Sequence, residues 1–364
     1  GREKQKQQKN VTEETLCLHQ LTNTPLHLSI VANTPVCDGH TLSVTQSAVQ
    51  PAFNWKRPMP TPPPPPPLHA CLVGAGRMGQ LRLPLLYANP MIEVVALVDV
   101  NLDAGQKLAT QYRVPVVVNA IAKATQASPA IDVFFVSTPT FTHIQAIDDI
   151  IDVALRRQQE GLKQQQKSFV FIEKPVAEDP DAIIALFERA SAANVMIMCG
   201  FQRRFDASYK AVKRKVDAGE AGSLHCARIF FADHPVPSIE FLAKGGDPFM
   251  DLAPHDIDYV RWVVDSEPVR VWAQGSSSTQ VLEDKGVFDN AGITIEFRNG
   301  VICTMFMSRG ATYGYDQRAE FFGSKGVISV ENRLQTTLAQ GNKTGIHRDR
   351  LQYSFPSRFH EAFA

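Results

Sequence analysis

Short apolar runs separated by helical stretches begin abruptly at Leu68. LHACLVG, EVVALVD, VPVVV, IDVFFVSTP, SFVFIEKP and VMIMCGF alternate with helical periodicity at 77–88, 103–112, 142–159 and 179–193. Runs this apolar predict strands buried on both faces, and helices between them predict parallel pairing. The result is a doubly wound α/β domain. Beyond about Arg204 the rhythm changes. A helix over 205–218 precedes SLHCARIFFAD, and a second covers roughly 252–264, starting near Leu252 because Pro254 is tolerated only in a first helical turn. VRVWAQGSS, AGITIEFRNG, VICTMFMSRG, QRAEFFGSKG and VISVEN then follow without helices between them, predicting an antiparallel sheet with one helix-covered face. Asn299-Gly300 between two alternating runs marks a hairpin.

Residues 1–67 follow neither pattern. They open on the polar GREKQKQQKN and close on six prolines, Pro62 to Pro67, a semi-rigid spacer with no internal hydrogen bonds. Such a segment also serves as an SH3 or WW ligand. A targeting role is disfavoured: there is no secretory apolar core, and Glu3, Glu13 and Glu14 do not suit an organellar transit sequence. We expect disorder here, and a first residue other than Met leaves a start upstream open. The domains are therefore a leader at 1–67, a dinucleotide-binding domain at 68–200 and a substrate and assembly domain at 201–364.

Composition narrows the function. With 364 residues and a formal net charge of +0, the chain lacks the basic excess that draws a protein to nucleic acid or an anionic membrane. No apolar run approaches the roughly 20 residues of a membrane-spanning helix. Cys17, Cys37, Cys71, Cys199, Cys226 and Cys303 form no CxxC pair, several sit in apolar runs, and a reduced cytoplasmic setting is expected.

Gly74-Ala75-Gly76-Arg77-Met78-Gly79 follows a strand and opens a helix, with Asp99 at the end of the next strand. Together these conditions turn a weak GxGxxG match into a dinucleotide site. Pyrophosphate is expected at the helix N-terminus, and Asp99 at the ribose hydroxyls. The carboxylate would repel a 2′-phosphate, and Val100 and Asn101 offer no cation, so NAD is favoured over NADP. Two further segments lie past strand C-termini: Ser137-Thr138-Pro139, continuing to His143, and Glu173-Lys174-Pro175, whose Lys174–Pro175 bond is a candidate for a cis peptide. A lysine at this edge can aim its ammonium at a substrate oxygen beside the nicotinamide. In Asp251-Leu252-Ala253-Pro254-His255, spacing of four places Asp251 beside His255, and a carboxylate next to imidazole would orient a general base. An N-cap Asp with an ordinary exposed histidine is the bland alternative. No third ligand stands at a metal-site spacing, so no metal is expected.

At these residues the chain resembles the Gfo/Idh/MocA oxidoreductases, closest to their inositol dehydrogenase branch. The matching elements run in order from GAGRMG through STPTFTH, FIEKP, GFQRRFD and FMDLAPHDIDYVRW to YGYDQRAEFFGSKG. The resemblance implies an N-terminal Rossmann domain and a C-terminal α+β domain on a large open, mostly antiparallel sheet, assembling into homodimers or homotetramers through that sheet. By position it implies that Lys174, Asp251 and His255 are catalytic. It places Gly74, Gly76, Arg77, Met78, Gly79, Asp99, Val100, Thr138, Pro139, His143, Glu173 and Lys174 at the cofactor. Gln202, Arg203, His234, Tyr313 and Tyr315 join Lys174, Asp251 and His255 at the substrate. The implied activity is NAD-dependent oxidation of a secondary hydroxyl of a cyclic polyol or sugar, myo-inositol to the 2-keto inosose first. Oxidoreduction of other sugars, dihydrodiols or biliverdin, and non-catalytic NAD sensing, are the rivals. Three departures stand out. His234-Pro235 replaces the Asn-Pro that inositol dehydrogenases can carry, RRQQEGLKQQQKS extends the helix that begins at 142, and the chain stops at SRFHEAFA where relatives continue through further helices.

Overall fold

Six strands and the helices between them build the first layer. The computed structural model describes residues 65–161, 167–332, 334–342 and 345–350. Most of the leader, most of the polar extension after α4 and the SRFHEAFA end therefore lie outside the described residues. The dinucleotide-binding domain runs β1 (Leu68–Val73), α1 (Arg77–Ala88), β2 (Ile92–Val98), α2 (Leu102–Tyr112), β3 (Val116–Val118), α3 (Ile121–Ala127), β4 (Val133–Val136), α4 (His143–Gln159), β5 (Ser168–Ile172), α5 (Pro180–Ala192) and β6 (Val195–Cys199). The short helix α3 was not predicted, because seven residues of IAKATQA carry too little periodicity to be seen.

All neighbours in the order β3-β2-β1-β4-β5-β6 are parallel. Side chains of each buried strand feed two cores. Cys71, Val73, Phe134, Val136, Val170 and Ile172 face α4 and α5, while Ala70, Leu72, Leu97 and Phe135 face α1 and α2. Asn101, Asp179 and Asp206 accept hydrogen bonds from backbone N–H groups in the first turns of α2, α5 and α6 (Ala207–Asp217), fixing where those helices start. The strand order reverses between β1 and β4, so their C-terminal ends open a crevice at the sheet edge. Burial pushes the thiols of Cys71, Cys199 and Cys303 up to about 12, leaving them inert fillers.

The second layer comprises β7 (Leu224–Ala232), a single turn α7 (Ile239–Phe241), α8 (Ala253–Val264), β8 (Pro268–Ser276), a short α9 (Gln280–Asp284), β9 (Asn290–Phe297), β10 (Ile302–Ser308), β11 (Asp316–Gly323) and β12 (Gly326–Val330). A separate hairpin, β13 (Leu334–Asn342) with β14 (Gly345–Arg350), follows. The sheet order is β12-β11-β7-β10-β9-β8. The expected antiparallel pairing holds with one correction: β7 and β10 are parallel. The chain returns from β7 through α8, β8 and β9 before β10 is laid down, and such a crossover delivers a strand in the same direction. The hairpin at Asn299-Gly300 forms as read, with Gly300 at φ +86°. Strict alternation in β9 and β10 sends Ile293, Ile295, Phe297, Cys303, Met305 and Met307 inward onto Tyr259, Val260 and Val263 of α8. The opposite face shows Trp272, Ile302 and Phe306 to solvent. No described helix is long and apolar enough to cross a membrane.

Candidate active site

The three glycines of the loop after β1 have three different reasons to be glycine. Gly74 has φ +103°, and a Cβ there would lie 2.9 Å from the Ser137 carbonyl carbon and oxygen, in the loop after β4. At Gly79 a Cβ would lie 2.0 Å from the Gly74 oxygen, so only hydrogen lets α1 sit this close to its own loop. At Gly76, which precedes α1, a Cβ would meet no protein atom within 4 Å. The loop is thus tight below and open above, with the first N–H groups of α1 facing the opening, which is the cradle a pyrophosphate requires. Asp99 accepts from the N–H of Ala75 at 2.6 Å and of Asn101 at 2.7 Å. These bonds tie the glycine loop to the end of β2 and leave a carboxylate lone-pair site on each oxygen for ribose. Val100 beside it is exposed. The residues present fit a dinucleotide.

Past this loop a cavity of about 580 Å³ separates the two layers. It gathers most of the residues read from sequence: Arg77, Met78, Thr138, Pro139, His143, Glu173, Lys174, Gln202, Arg203, His234, Asp251, His255 and Tyr315 all line it. Tyr313 does not. Its ring is half exposed and its hydroxyl donates to Asp316 Oδ2 at 3.1 Å. Several lining residues are held from behind. The ring nitrogens of His143, itself 1% exposed, lie 3.0 Å from the Pro175 carbonyl and 2.9 Å from the Thr138 carbonyl, clamping the two strand-end loops together. Glu173 accepts from the buried Arg82 Nε at 2.6 Å, so its carboxylate anchors α1 to β5. Arg203 is buried, pairs with Asp256 and lies over the Phe231 ring at 4.8 Å. His234 has Nδ1 2.8 Å from the Ala311 carbonyl, and the Tyr315 hydroxyl donates to Gln317 Oε1 at 3.1 Å. Lys174–Pro175 and His234–Pro235 are cis.

The centre of the cavity is a chain of charges. Lys174 Nζ donates to Asp251 Oδ1 at 2.5 Å and to the Asp251 carbonyl at 2.8 Å. Asp251 Oδ2 accepts from Arg309, whose other terminal nitrogen donates to Asp233 Oδ2 at 2.6 Å. This corrects the sequence reading of Asp251: its two oxygens go to cations from the ends of β5 and β10 rather than to the imidazole of His255. The spacing of four does put both residues on the cavity side, but a turn of π-helix at Pro248–Leu252 precedes α8 and turns the carboxylate toward Lys174. Burial works against the charge on Asp251, yet Lys174 and Arg309 outweigh it and hold the carboxyl below its ordinary value. For Asp233 burial wins over Arg309 and pushes the carboxyl up.

Asp233 and Arg309 escaped the sequence reading, though a signal existed. In β7 the inward positions are Ala227, Ile229 and Phe231, and the next inward position is Asp233. In β10 they are Cys303, Met305 and Met307, and the next is Arg309. A charge occupying the step after a buried period-two series is aimed into the protein, not out of it.

Comparison with known proteins decides the family. Residues 68–201 match the model described as an oxidoreductase family with an NAD-binding Rossmann fold, and residues 209–329 match the Gfo/Idh/MocA C-terminal domain. The chain belongs to the Gfo/Idh/MocA oxidoreductases. It is 30% identical over 294 residues to the inositol 2-dehydrogenase of Rhizobium meliloti, spanning 80% of this chain and 84% of that one. Among solved structures, a myo-inositol dehydrogenase from Corynebacterium glutamicum superposes with TM-score 0.69 at 29% identity, covering 82% of this chain and 85% of the other. A scyllo-inositol dehydrogenase from Lactobacillus casei with bound NAD(H) and scyllo-inositol gives TM-score 0.71 at 25% identity, covering 82% and 86%. This Gfo/Idh/MocA protein is accordingly an oxidoreductase with an NAD-binding Rossmann fold, and NAD is its cofactor.

Proposed function

We propose that the enzyme oxidises a secondary hydroxyl of a cyclic polyol, with myo-inositol to the 2-keto inosose as the first substrate to test. One observation supports this above the others: Lys174, held by Asp251, lines the same cavity as His255, beside the loops that carry the dinucleotide site. An ammonium near the substrate oxygen stabilises the charge that develops as the hydroxyl is oxidised, and an imidazole in the same space takes the hydroxyl proton. When bound, NAD supplies the hydride acceptor. Asp251 keeps the Lys174 ammonium in place, a role that replaces the imidazole support read from its spacing. Among the other lining residues, Gln202 and His234 bring polar groups that suit a ligand carrying several hydroxyls.

The test is a panel of myo-inositol, scyllo-inositol, aldoses and a dihydrodiol, each with NAD and with NADP, followed by NADH absorbance. Turnover of an inositol with NAD is the expected result. Turnover confined to aldoses would move the protein to another Gfo/Idh/MocA chemistry, and tight NAD binding without any turnover would make it a sensor. We also propose a cytoplasmic homodimer or homotetramer built on the exposed sheet face, where Trp272, Ile302 and Phe306 are open to solvent. Phe306→Lys is expected to lower the sedimentation coefficient to that of a monomer at micromolar concentration. A wild-type chain that already sediments as a monomer would remove this proposal.

A further inference from the structure

The geometry points to Arg309, seated by Asp233, as a positioning residue that shares the Asp251 carboxylate with Lys174 and so sets where the Lys174 ammonium stands. This inference rests on the role given to Lys174 above. Three observations carry it. First, β7 and β10 are parallel with Ala232 opposite Ser308, so Asp233 and Arg309 leave the sheet side by side, and the Asp233 N–H donates to the Ser308 carbonyl at 2.8 Å. Second, the guanidinium is fixed: its side chain is 3% exposed, it donates to Asp233 Oδ2 and it lies 5.7 Å from the Phe241 ring, while the Arg309 backbone N–H donates to the Asp289 carbonyl at 2.8 Å. Third, it takes one oxygen of Asp251 while Lys174 takes the other.

A carboxylate held on one oxygen by a rigid guanidinium offers only the other to the lysine. The ammonium then keeps donor capacity for a substrate oxygen, because three N–H bonds are available and the carboxylate and carbonyl of Asp251 use two. Without Arg309 both oxygens of Asp251 are open to Lys174, which can rotate to take both and turn away from the substrate. Four groups face this point from four elements: Lys174 after β5, Arg309 after β10, Asp233 after β7 and His255 on α8. Arg309 is one of the two cations that hold Asp251 ionised. Removing it must therefore move the titration of Asp251 to higher pH.

The experiment compares wild type, Arg309→Met, Arg309→Lys and Asp233→Asn. With the best substrate of the panel, Arg309→Met is expected to lower kcat about a hundredfold with KM changed less than about threefold, the signature of a misplaced group rather than lost binding. Arg309→Lys and Asp233→Asn should fall between the extremes. Millimolar guanidinium should restore part of the turnover of Arg309→Met. In substrate-free protein, carboxyl ¹³C NMR with the Asp251 signal assigned by Asp251→Asn should show that carboxyl titrating at higher pH in Arg309→Met. This last readout needs no turnover, so it separates the inference from the substrate reading: a wild-type chain inert towards every polyol overturns that reading alone. Unchanged kcat and an unmoved Asp251 titration in folded Arg309→Met would overturn the role of Arg309. A loss of melting temperature with unaltered Asp251 titration and kcat, leaving Arg309 purely structural, would do the same.

Discussion

Replacing Lys174 by methionine is expected to lower turnover about 10²- to 10³-fold, the range found when one preorganised donor to a developing oxyanion is removed. The binding of NAD should change little. The glycine loop and Asp99 take no support from the lysine, whose partner is Asp251. The substitution is also one the fold can bear. Methionine keeps the length of the stem, and Arg309 still compensates the Asp251 carboxylate, so no buried charge is left alone. Steady-state kinetics by NADH absorbance and NAD titration by calorimetry measure the two halves separately. A thousandfold loss corresponds to roughly 4 kcal/mol of transition-state stabilisation. Wild-type turnover in folded Lys174→Met protein would show that the ammonium is not at the reacting oxygen.

The outcome at Lys174 depends on residues that were unequally visible in the chain. GAGRMG, Asp99 and the strand ends carrying Thr138 and Lys174 were legible because each lies in one short segment whose period and punctuation place it at a known edge of a parallel sheet. The same logic located β7 to β12 but not the direction of β10, since two strands far apart in sequence have no local mark of their relative sense. For Asp251 the helical spacing to His255 was real and both residues line the cavity, but the hydrogen bonds of its carboxylate go to Lys174 and Arg309. A spacing rule counts only neighbours on the same helix, whereas Lys174 and Arg309 arrive from 77 and 58 residues away and bring full charges. At short range two cations outcompete an imidazole for a carboxylate. His143 and Glu173 show the same effect. They line the cavity, yet their polar atoms are turned to hold Pro175, Thr138 and Arg82 in place.

Gly79→Ala and Gly76→Ala should separate the glycine that packs the loop from the glycine that admits the ligand. At Gly79 the new methyl carbon would stand 2.0 Å from the Gly74 oxygen and 3.0 Å from the Gly74 carbonyl carbon, both backbone atoms. No rotamer relieves that clash, so α1 must move off the sheet or the loop must distort. Overpacking of this kind costs about 1–3 kcal/mol or more, and the displaced N–H groups no longer converge on a pyrophosphate. Both the melting temperature and NAD affinity should fall. At Gly76 the backbone is at φ −69°, which any L residue adopts, and the methyl meets no protein atom within 4 Å. The melting temperature of free Gly76→Ala should match wild type within experimental scatter. Its NAD affinity should fall by at least about tenfold, or some 1.4 kcal/mol, because the methyl occupies the space through which the backbone approaches the phosphates. Differential scanning calorimetry with and without saturating NAD reads both variants at once. If Gly76→Ala bound NAD as tightly as wild type, the open space above that residue would not be where the dinucleotide lies.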